Sequence, residues 1–277
     1  MHGMNKETTL IITLQTLANL IGAIRAKRPL IHHITNTVTV NDCANVTLSI
    51  GAAPVMAEAP EEVREMVSMA DALVLNIGTL SHQQVTSMLN AGYAANAQGI
   101  PVILDPVGAG ATKMRTESAQ LLLDKIKIAV LKGNIGEIGV LAGVEGKVRG
   151  VDSWGLNGDP IKIGQEYARQ TGVTVAISGA ADIVTDRNRV VLVENGHPMM
   201  GRLTGTGCMA ASLVGAFAAV CSDHVTSSVA AFAAFGIAGE RAAQKALGPY
   251  SFRTALMDEI AALQPEDLRQ NARVQSV

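Results

Sequence analysis

The sequence is poor in charged and aromatic residues. Of its 277 residues, 17% are charged and 3% are aromatic, whereas 48% are hydrophobic. This composition excludes a disordered chain and requires a core of aliphatic and small side chains. Because so few charges would cover a monomer of this size poorly, we expect part of the surface to be covered in an oligomer.

Neither sign of charge dominates. The chain has 22 Lys and Arg against 24 Asp and Glu, a formal net charge of −2 at pH 7, without a block of like charges. This balance argues against a dedicated nucleic-acid binder and against binding to an acidic membrane surface. A small neutral or phosphate-bearing partner fits better.

Cysteine is also scarce. The chain has three cysteines, Cys43, Cys208 and Cys221. Because their number is odd and no two of them are spaced as CxxC, they predict neither a disulfide framework nor a zinc site. We therefore expect a reducing compartment, the cytoplasm. The uncharged run from Leu203 to Cys221 has the length of a membrane span, but it opens on a glycine-rich turn and is better interpreted as a buried helix. Residues 8 to 24 have helical periodicity and are interpreted as a helix rather than a leader.

Short aliphatic runs alternate with helical stretches. The predicted strands are Leu30 to Thr35, Ala72 to Gly78, Val102 to Asp105, Ile128 to Leu131 and Val173 to Ser178. The predicted helices are 8 to 24, one opening at Pro60, Ser81 to Ala97, Thr116 to Ile126, Gly207 to Val220 and Val225 to Ala246. This alternation predicts one α/β domain with a mostly parallel sheet covered by helices on both faces. The segments 183–185 and 190–193 flank a polar turn and predict an antiparallel edge.

A glycine-rich segment, Leu203-Thr-Gly-Thr-Gly-Cys208, precedes a long apolar helix. Backbone N–H groups converge at such a helix start, so Gly205, Thr206 and Gly207 predict an anion site. The thiolate of Cys208 would be favoured by the positive end of the helix dipole. The alternative is a glycine-rich turn with a buried, inert cysteine.

Two acidic residues follow predicted strands. Asp105 ends a very apolar strand, where a carboxylate needs a metal, a cation or hydrogen bonds. Glu137 follows Asn134 by three residues at a helix start. Together with the glycine-rich segment they suit Mg²⁺ and a nucleotide. Each also has a simpler interpretation, as a cap of a turn or of a helix.

Two further sets of residues are ambiguous. Met56 is more typical of a core than of a ligand site, although its thioether would suit a heteroaromatic ring. His32 and His33 are adjacent on a strand and face opposite ways, so they cannot form one metal site. We interpret at least one of them as structural.

Several motifs carry a resemblance to a known family: His33-Ile-Thr-Asn36, Gly51-Ala-Ala-Pro-Val-Met-Ala57, Leu75-Asn-Ile-Gly-Thr-Leu80, Val102-Ile-Leu-Asp-Pro-Val-Gly-Ala-Gly-Ala111, Lys132-Gly-Asn134 and Thr204-Gly-Thr-Gly-Cys208. In this order they closely resemble hydroxyethylthiazole kinases, ribokinase-like enzymes of thiamine salvage. The resemblance implies a single-domain, three-layer sandwich over residues 1–277, with 1–12 and 265–277 peripheral.

The resemblance also implies an activity and a set of site residues. The family transfers a phosphoryl group from ATP, with Mg²⁺, to the primary alcohol of 4-methyl-5-(2-hydroxyethyl)thiazole, and it forms homotrimers with active sites between subunits. Carried onto this sequence, the expected roles are alcohol contacts for Met56, Gly205 and Asn36, ATP contacts for Lys132 and Ser178, the anion hole for Thr206 and Gly207, metal binding for Asp105 and Glu137, and catalysis for Cys208.

Three of these positions depart from a family or superfamily pattern. Family members have arginine and threonine where this chain has Lys132 and Ser178, and lysine keeps the charge without the two-pronged guanidinium group. Sugar kinases of the fold place an aspartate base at the position of Cys208. Alternatives that remain are a kinase of another heterocyclic alcohol, such as a hydroxymethylpyrimidine, and a non-catalytic nucleotide or thiazole sensor.

Overall fold

A computed structural model describes residues 12–144, 148–149, 152–153 and 158–277 of the chain. Its strands are β1 (Leu30–Ile34), β2 (Ala53–Val55), β3 (Ala72–Asn76), β4 (Val102–Asp105), β5 (Val130–Asn134), β6 (Val148–Arg149), β7 (Asp152–Ser153), β8 (Thr174–Ser178), β9 (Asp182–Thr185), β10 (Val190–Val193) and β11 (Val274–Ser276). Nine of them form one sheet in the order β11-β10-β9-β8-β5-β4-β3-β1-β2, and β6 pairs with β7 in a separate hairpin.

The sheet is parallel from β2 to β8 and antiparallel from β8 to β11. The parallel part follows from the helical crossovers between successive strands, and the antiparallel part begins at the short β8–β9 connection. The expected mostly parallel sheet with an antiparallel edge is therefore confirmed.

Helices cover both faces of the sheet. They are α1 (Leu14–Lys27), α2 (Val40–Ile50), α3 (Val63–Ser68), α4 (His82–Ala97), α5 (Lys113–Lys125), α6 (Ile135–Leu141), α7 (Pro160–Thr171), α8 (Thr206–Ala218), α9 (His224–Lys245), α10 (Pro249–Ala262) and α11 (Pro265–Asn271). One buried apolar cluster joins the sheet to α1, α2 and α8 to α11, and a second joins the opposite face to α3 to α7. These three layers confirm the predicted α/β sandwich.

Several element boundaries differ from the sequence prediction. Strand β5 begins at Val130 rather than Ile128 and continues to Asn134, so Lys132 lies within the strand. Helix α5 begins at Lys113 rather than Thr116, because the Thr112 hydroxyl accepts the Arg115 N–H and caps the helix. Helix α3 likewise begins at Val63 rather than Pro60.

The described part of the chain begins just before α1 and ends with the edge strand β11. In the described part, α1 begins at Leu14 and Thr13 caps it, whereas Leu10 of the predicted helix lies outside the described residues. The C-terminal segment adds α11, which buries Leu268, and then the edge strand β11. No helix in the described ranges is both long and apolar enough to cross a bilayer.

Candidate active site

The polar residues at the strand ends lie on one face of the sheet. Side chains two residues apart on a strand lie on the same face of the sheet. The apolar cluster on the α8 side contains one residue from each of four neighbouring strands: Val74, Ile103, Val130 and Ala176. Two residues further along each strand lie Asn76, Asp105, Lys132 and Ser178, which we call the strand-end row. Asn76 is the register partner of Asp105 across β3 and β4. The row therefore runs below the start of α8.

A buried ion pair lies at the centre of the row. Asp105 and Lys132 are 1% and 3% exposed, and Lys132 Nζ lies 4.0 Å from Asp105 Oδ1. Burial raises the pKa of Asp105 to about 7, although the Lys132 charge opposes the shift. Burial works to lower the pKa of Lys132, but the charges of Asp105 and Glu137 outweigh it and raise that pKa. Lys132 is therefore a fixed cation in a site with little water.

Two amides connect this ion pair to Cys208. Asn76 Nδ2 donates to Asp105 Oδ2 at 2.7 Å, and Asn36 Nδ2 donates to Asn76 Oδ1 at 2.9 Å. Asn36 Nδ2 also donates to Cys208 Sγ at 3.3 Å. The polar chain thus extends from the cation of β5 to the first turn of α8.

Cys208 is half-buried, and its thiol is the favoured form at neutral pH. Burial raises the pKa of Cys208, and the negative charge of Asp105 raises it further. The raised pKa runs against the prediction that the start of the helix favours the thiolate, because desolvation penalises the charged form.

Helix α8 begins where its glycines allow a close approach. Gly205 has φ +88°, and a Cβ there would lie 2.5 Å from Thr39 Cγ2. A Cβ on Gly207 would lie 3.1 Å from Lys132 Nζ, so this cation lies against the first turn of the helix. The Thr206 hydroxyl donates to Met200 O at 3.1 Å, which leaves its backbone N–H as its contribution to an anion site.

Glu137 has the structural role that its position at a helix start suggested. Its Oε2 accepts the Asn134 N–H while Asn134 Oδ1 accepts the Glu137 N–H, forming a capping box on α6. Its Oε1 accepts the Gly108 N–H at 2.8 Å. Burial nevertheless raises the pKa of Glu137, against the effect of the Lys132 charge and of these N–H groups. Its carboxylate is thus fixed in place near Asp105 and Lys132.

The acidic pair fits a magnesium ion that is held mainly by phosphate. Within the described ranges, no group of three or more His, Cys, Asp and Glu side chains is arranged to bind a metal alone. Glu137 raises the pKa of Asp105, so the two carboxylates are close enough to repel each other, and a divalent cation would relieve this repulsion. Mg²⁺ typically takes one or two carboxylates and completes its coordination with phosphates and water. Asp105 and Glu137 match that donor set.

The other predicted site residues flank this centre. Met56 is half-buried and follows β2, the outermost parallel strand, next to the strand that leads to Asn36. Ser178 lies on the opposite side, at the end of β8, where its hydroxyl donates to Gly133 O at 3.4 Å. The structure therefore brings Asn36, Asp105, Lys132 and Cys208 together and leaves Met56 and Ser178 at the two flanks.

Both histidines of β1 have structural contacts. His32 Nε2 lies 2.7 Å from Ala57 O and His33 Nδ1 lies 3.1 Å from Ile31 O. Burial lowers the pKa of both, that of His33 to about 4, so both rings are neutral at physiological pH. The interpretation of at least one as structural is consistent with these contacts.

Sequence reasoning assigned no role to four residues of the site: Asn76, Thr39, Arg115 and Asp182. Arg115 donates to Ile77 O, Gly78 O and Val107 O, and so holds together the loops after β3 and β4. Burial raises the pKa of Asp182 to about 7 against the Gly179 N–H and the Lys132 charge. For Asn76 a signal was present, because it ends an apolar strand at the same two-residue spacing as Asp105.

Comparison with known proteins identifies the family of the chain. The sequence model of the Hydroxyethylthiazole kinase family matches residues 21–266. The chain is 61% identical over 260 residues to a hydroxyethylthiazole kinase of Methanocella arvoryzae, covering 94% of this chain and 98% of that one. The solved hydroxyethylthiazole kinase structure from Pyrococcus horikoshii OT3 superimposes with a TM-score of 0.87 at 43% identity, covering 94% and 98% of the two chains.

A more distant structure defines the fold alone. A ribokinase-like superfamily protein from Enterococcus faecalis superimposes with a TM-score of 0.64 at 12% identity and covers 96% of this chain and all of that one. The expected ribokinase-like fold is therefore confirmed. From the family match and the high identity over nearly its whole length, the chain belongs to the hydroxyethylthiazole kinase family.

Proposed function

We propose that this protein transfers the γ-phosphoryl group of ATP to the primary hydroxyl of 4-methyl-5-(2-hydroxyethyl)thiazole, in thiamine salvage. The observation that carries the proposal is the approach of the buried Lys132 cation to the first turn of α8, next to Cys208. Such an arrangement gives an anionic phosphoryl group a cation and converging N–H groups at one place.

Lys132 and the first turn of α8 form the phosphate side of the proposed site. Lys132 would neutralise the transferring phosphoryl group, and the N–H groups of Thr206 and Gly207 would bind its oxygens. The hydrogen bonds within the helix begin with Met209 N–H to Gly205 O, so the N–H groups before it are directed out of the helix end. Ser178 would contact ATP from the β8 flank.

Asp105 and Glu137 would hold Mg²⁺ on this side, together with phosphate oxygens and water. When bound, Mg²⁺ supplies charge neutralisation and orients the phosphates. In this proposal Glu137 combines two roles, because the capping box that fixes α6 also fixes the carboxylate that would hold the metal. Asp105 is held by Asn76 and Lys132.

Asn36, Cys208, Gly205 and Met56 form the alcohol side. The alcohol oxygen forms a bond to the γ-phosphorus, the bond from that phosphorus to the ADP oxygen breaks, and the alcohol proton is released. Since the transition state of phosphoryl transfer is loose, positioning and neutralisation supply most of the acceleration, and a weak base suffices. Cys208 would therefore contact the hydroxyl and assist loss of its proton.

We propose a homotrimer whose subunits meet beside this alcohol side. Val38 is 66% exposed two residues after Asn36, and Leu48 and Tyr250 add further exposed apolar area on α2 and α10. Burying these side chains against another copy would stabilise an assembly. Light scattering should give three times the mass of the chain, and a monomer at micromolar concentration would contradict shared sites.

The three free thiols fit a reducing compartment, and we propose the cytoplasm as the location of the protein.

The direct test is incubation with ATP, Mg²⁺ and the thiazole alcohol, followed by detection of ADP and phosphorylated thiazole. A hydroxymethylpyrimidine should be tested in parallel at the same concentration. Phosphorylation of the thiazole alcohol in preference to the pyrimidine supports the proposal. Preference for the pyrimidine would indicate a related kinase, and binding of both ligands without turnover would indicate a sensor.

A further inference from the structure

Asn76 is fully enclosed between the two sides of the site. It is the last residue of β3, 1% exposed, and it contacts Asn36 on one side and Asp105 on the other. The predicted contacts to alcohol, ATP and metal all involve other residues. Its function must therefore come from what it does to these two neighbours.

The orientation of the Asn76 amide is fixed by a backbone group. The Gly78 N–H, which can only donate, lies 2.9 Å from Asn76 Oδ1 and identifies that atom as the oxygen. Asn76 Nδ2 must then face Asp105 Oδ2, which accepts from it at 2.7 Å. A flipped amide would direct oxygen at the carboxylate and NH₂ at the Gly78 N–H.

The orientation of Asn36 is fixed in the same way. The Thr39 N–H donates to Asn36 Oδ1 at 3.0 Å, and the Thr39 hydroxyl donates to the same oxygen at 3.1 Å. The two N–H bonds of Asn36 are therefore directed to Asn76 Oδ1 and to Cys208 Sγ. Asn76 accepts one of them and so directs the other at the sulfur.

We infer that Asn76 is a positioning residue of the phosphoryl transfer. It directs the second N–H of Asn36 at Cys208, where the alcohol binds in the proposed function. It also holds Asp105 Oδ2, so that Oδ1 faces Lys132. This inference rests on the proposed function. Because each amide excludes the flipped form of the other, the pair acts as one unit.

Two substitutions separate the two contacts. Asn76→Leu has a similar size and removes both, whereas Asn76→Asp still accepts from Gly78 and Asn36 but replaces the N–H that faces Asp105 with a second carboxyl group, so that the two carboxyls share a proton. Loss of one hydrogen bond of this kind changes binding by up to about tenfold. We expect Asn76→Leu to raise the KM for the thiazole alcohol about tenfold and to lower kcat, and Asn76→Asp to lower kcat with the alcohol KM within about twofold of wild type.

The decisive experiment combines Asn76→Leu with Asn36→Ala in a double-mutant cycle. If Asn76 acts on the alcohol through Asn36, its effect on the alcohol KM falls below about twofold in the Asn36→Ala background, while its effect on kcat through Asp105 persists. A merely structural role predicts a lower Tm with the same effect on the alcohol KM in both backgrounds, and this result would overturn the inference.

Two further measurements keep the inference testable. If Asn76→Leu does not fold, the KM for the thiazole alcohol is measured in Asn76→Asp instead. A tenfold rise of that KM over the wild-type value would contradict the inference. If the wild-type chain binds the alcohol but does not phosphorylate it, the proposed function fails, and calorimetric alcohol binding in the same variants still measures the Asn76–Asn36 coupling. A wild-type chain that binds no alcohol would overturn both.

Discussion

The phosphate side and the alcohol side of the proposed site are built from different chemistry. The phosphate side contains buried charges, with Asp105 and Glu137 at raised pKa around the Lys132 cation. The alcohol side contains neutral groups, the amide of Asn36 and the thiol of Cys208, held by hydrogen bonds of fixed direction. Charge placed in advance neutralises a phosphoryl group, whereas a neutral alcohol needs only orientation.

This contrast predicts which kinetic parameter a substitution on each side should change. Changes on the phosphate side should act mainly on the rate of transfer and respond to pH and metal. Changes on the alcohol side should act mainly on the KM for the alcohol and respond little to either.

Lys132→Met should produce the largest loss. It removes the cation of the phosphate side, and loss of one such preorganised charge typically lowers kcat about 10²–10³-fold. It also leaves Asp105 buried without its partner, so the Tm should fall at pH 8 and recover toward pH 5, where Asp105 is protonated. Steady-state kinetics and melting curves at both pH values measure this.

Lys132→Arg is the matched control, since it keeps the charge. It should retain most of the activity, with a change in the KM for ATP because a guanidinium contacts phosphate differently from an ammonium. If Lys132→Met had a wild-type kcat, the cation would have no role in transfer.

Cys208 should show the next largest effect. Cys208→Ala should lower kcat strongly, by more than about tenfold, because it removes the group that faces the alcohol. Cys208→Asp should keep or increase kcat, since a carboxyl group loses its proton far more readily than a thiol and would accept the Asn36 N–H that now points at Sγ. The measurement is kcat for both variants beside their melting temperatures.

The opposite order for Cys208 would identify a structural cysteine. An active alanine variant beside an unstable aspartate variant is the result expected of a buried, inert thiol. In that case the glycine-rich segment would be an anion site without a base.

Glu137→Gln should affect both metal use and stability. A glutamine must direct its NH₂ at the N–H of Asn134 or Gly108, which should lower the Tm by about 3–6 °C. It should also raise the Mg²⁺ concentration for half-maximal turnover. The structural control is Asp267→Asn outside the strand-end row, because the Asp267 carboxylate also accepts from two donors, the Gln264 N–H and Arg241, and an asparagine must direct its NH₂ at one of them. This variant should lower Tm alone, and an unchanged Mg²⁺ requirement in Glu137→Gln would leave Glu137 as a cap only.

Asp182→Asn should have the smallest effect, on stability as a function of pH. The pKa of Asp182 rises from 3.8 to about 7 on burial, so its ionisation costs stability as pH increases from about 4 to about 7. The variant should melt a few degrees higher than wild type at pH 8 and at the same temperature near pH 4.

Asp186, on the same hairpin, provides a control of opposite sign. Burial works to raise its pKa, but hydrogen bonds from Arg189 outweigh it and lower the pKa. Asp186→Asn should therefore reduce the Tm at pH 8 and have less effect below pH 4. A pH-independent Tm difference for Asp182→Asn would contradict the assignment.

The central fold could be predicted because its signals are local. Apolar runs such as Val102 to Asp105 are buried on both faces and are recognisable by composition, and the cap at Ser81 marks a helix start. The edge strands β2 and β11 could not be predicted, because each has three residues and is defined by its pairing with a neighbour. The end of β5 was placed too early, at Leu131, because Lys132 does not resemble a strand interior.

The site was predictable only where one residue carries its own signal. Asp105 at the end of an apolar strand and the glycines before α8 have such signals. The roles of Asn76 and Arg115 depend on contacts between distant segments, which a sequence without its fold does not contain. The raised pKa of Cys208 also depends on the fold, because it results from burial and from the nearby Asp105.

The most direct test of the two-sided site is a matrix of KM values for both substrates in Asn36→Ala and Lys132→Arg, beside wild type. The account predicts that Asn36→Ala raises the KM for the thiazole alcohol about tenfold with the KM for ATP within about twofold, and that Lys132→Arg changes the ATP parameters with the alcohol KM within about twofold. If Asn36→Ala instead altered the KM for ATP, or Lys132→Arg that for the alcohol, the division of the site into two sides would be wrong.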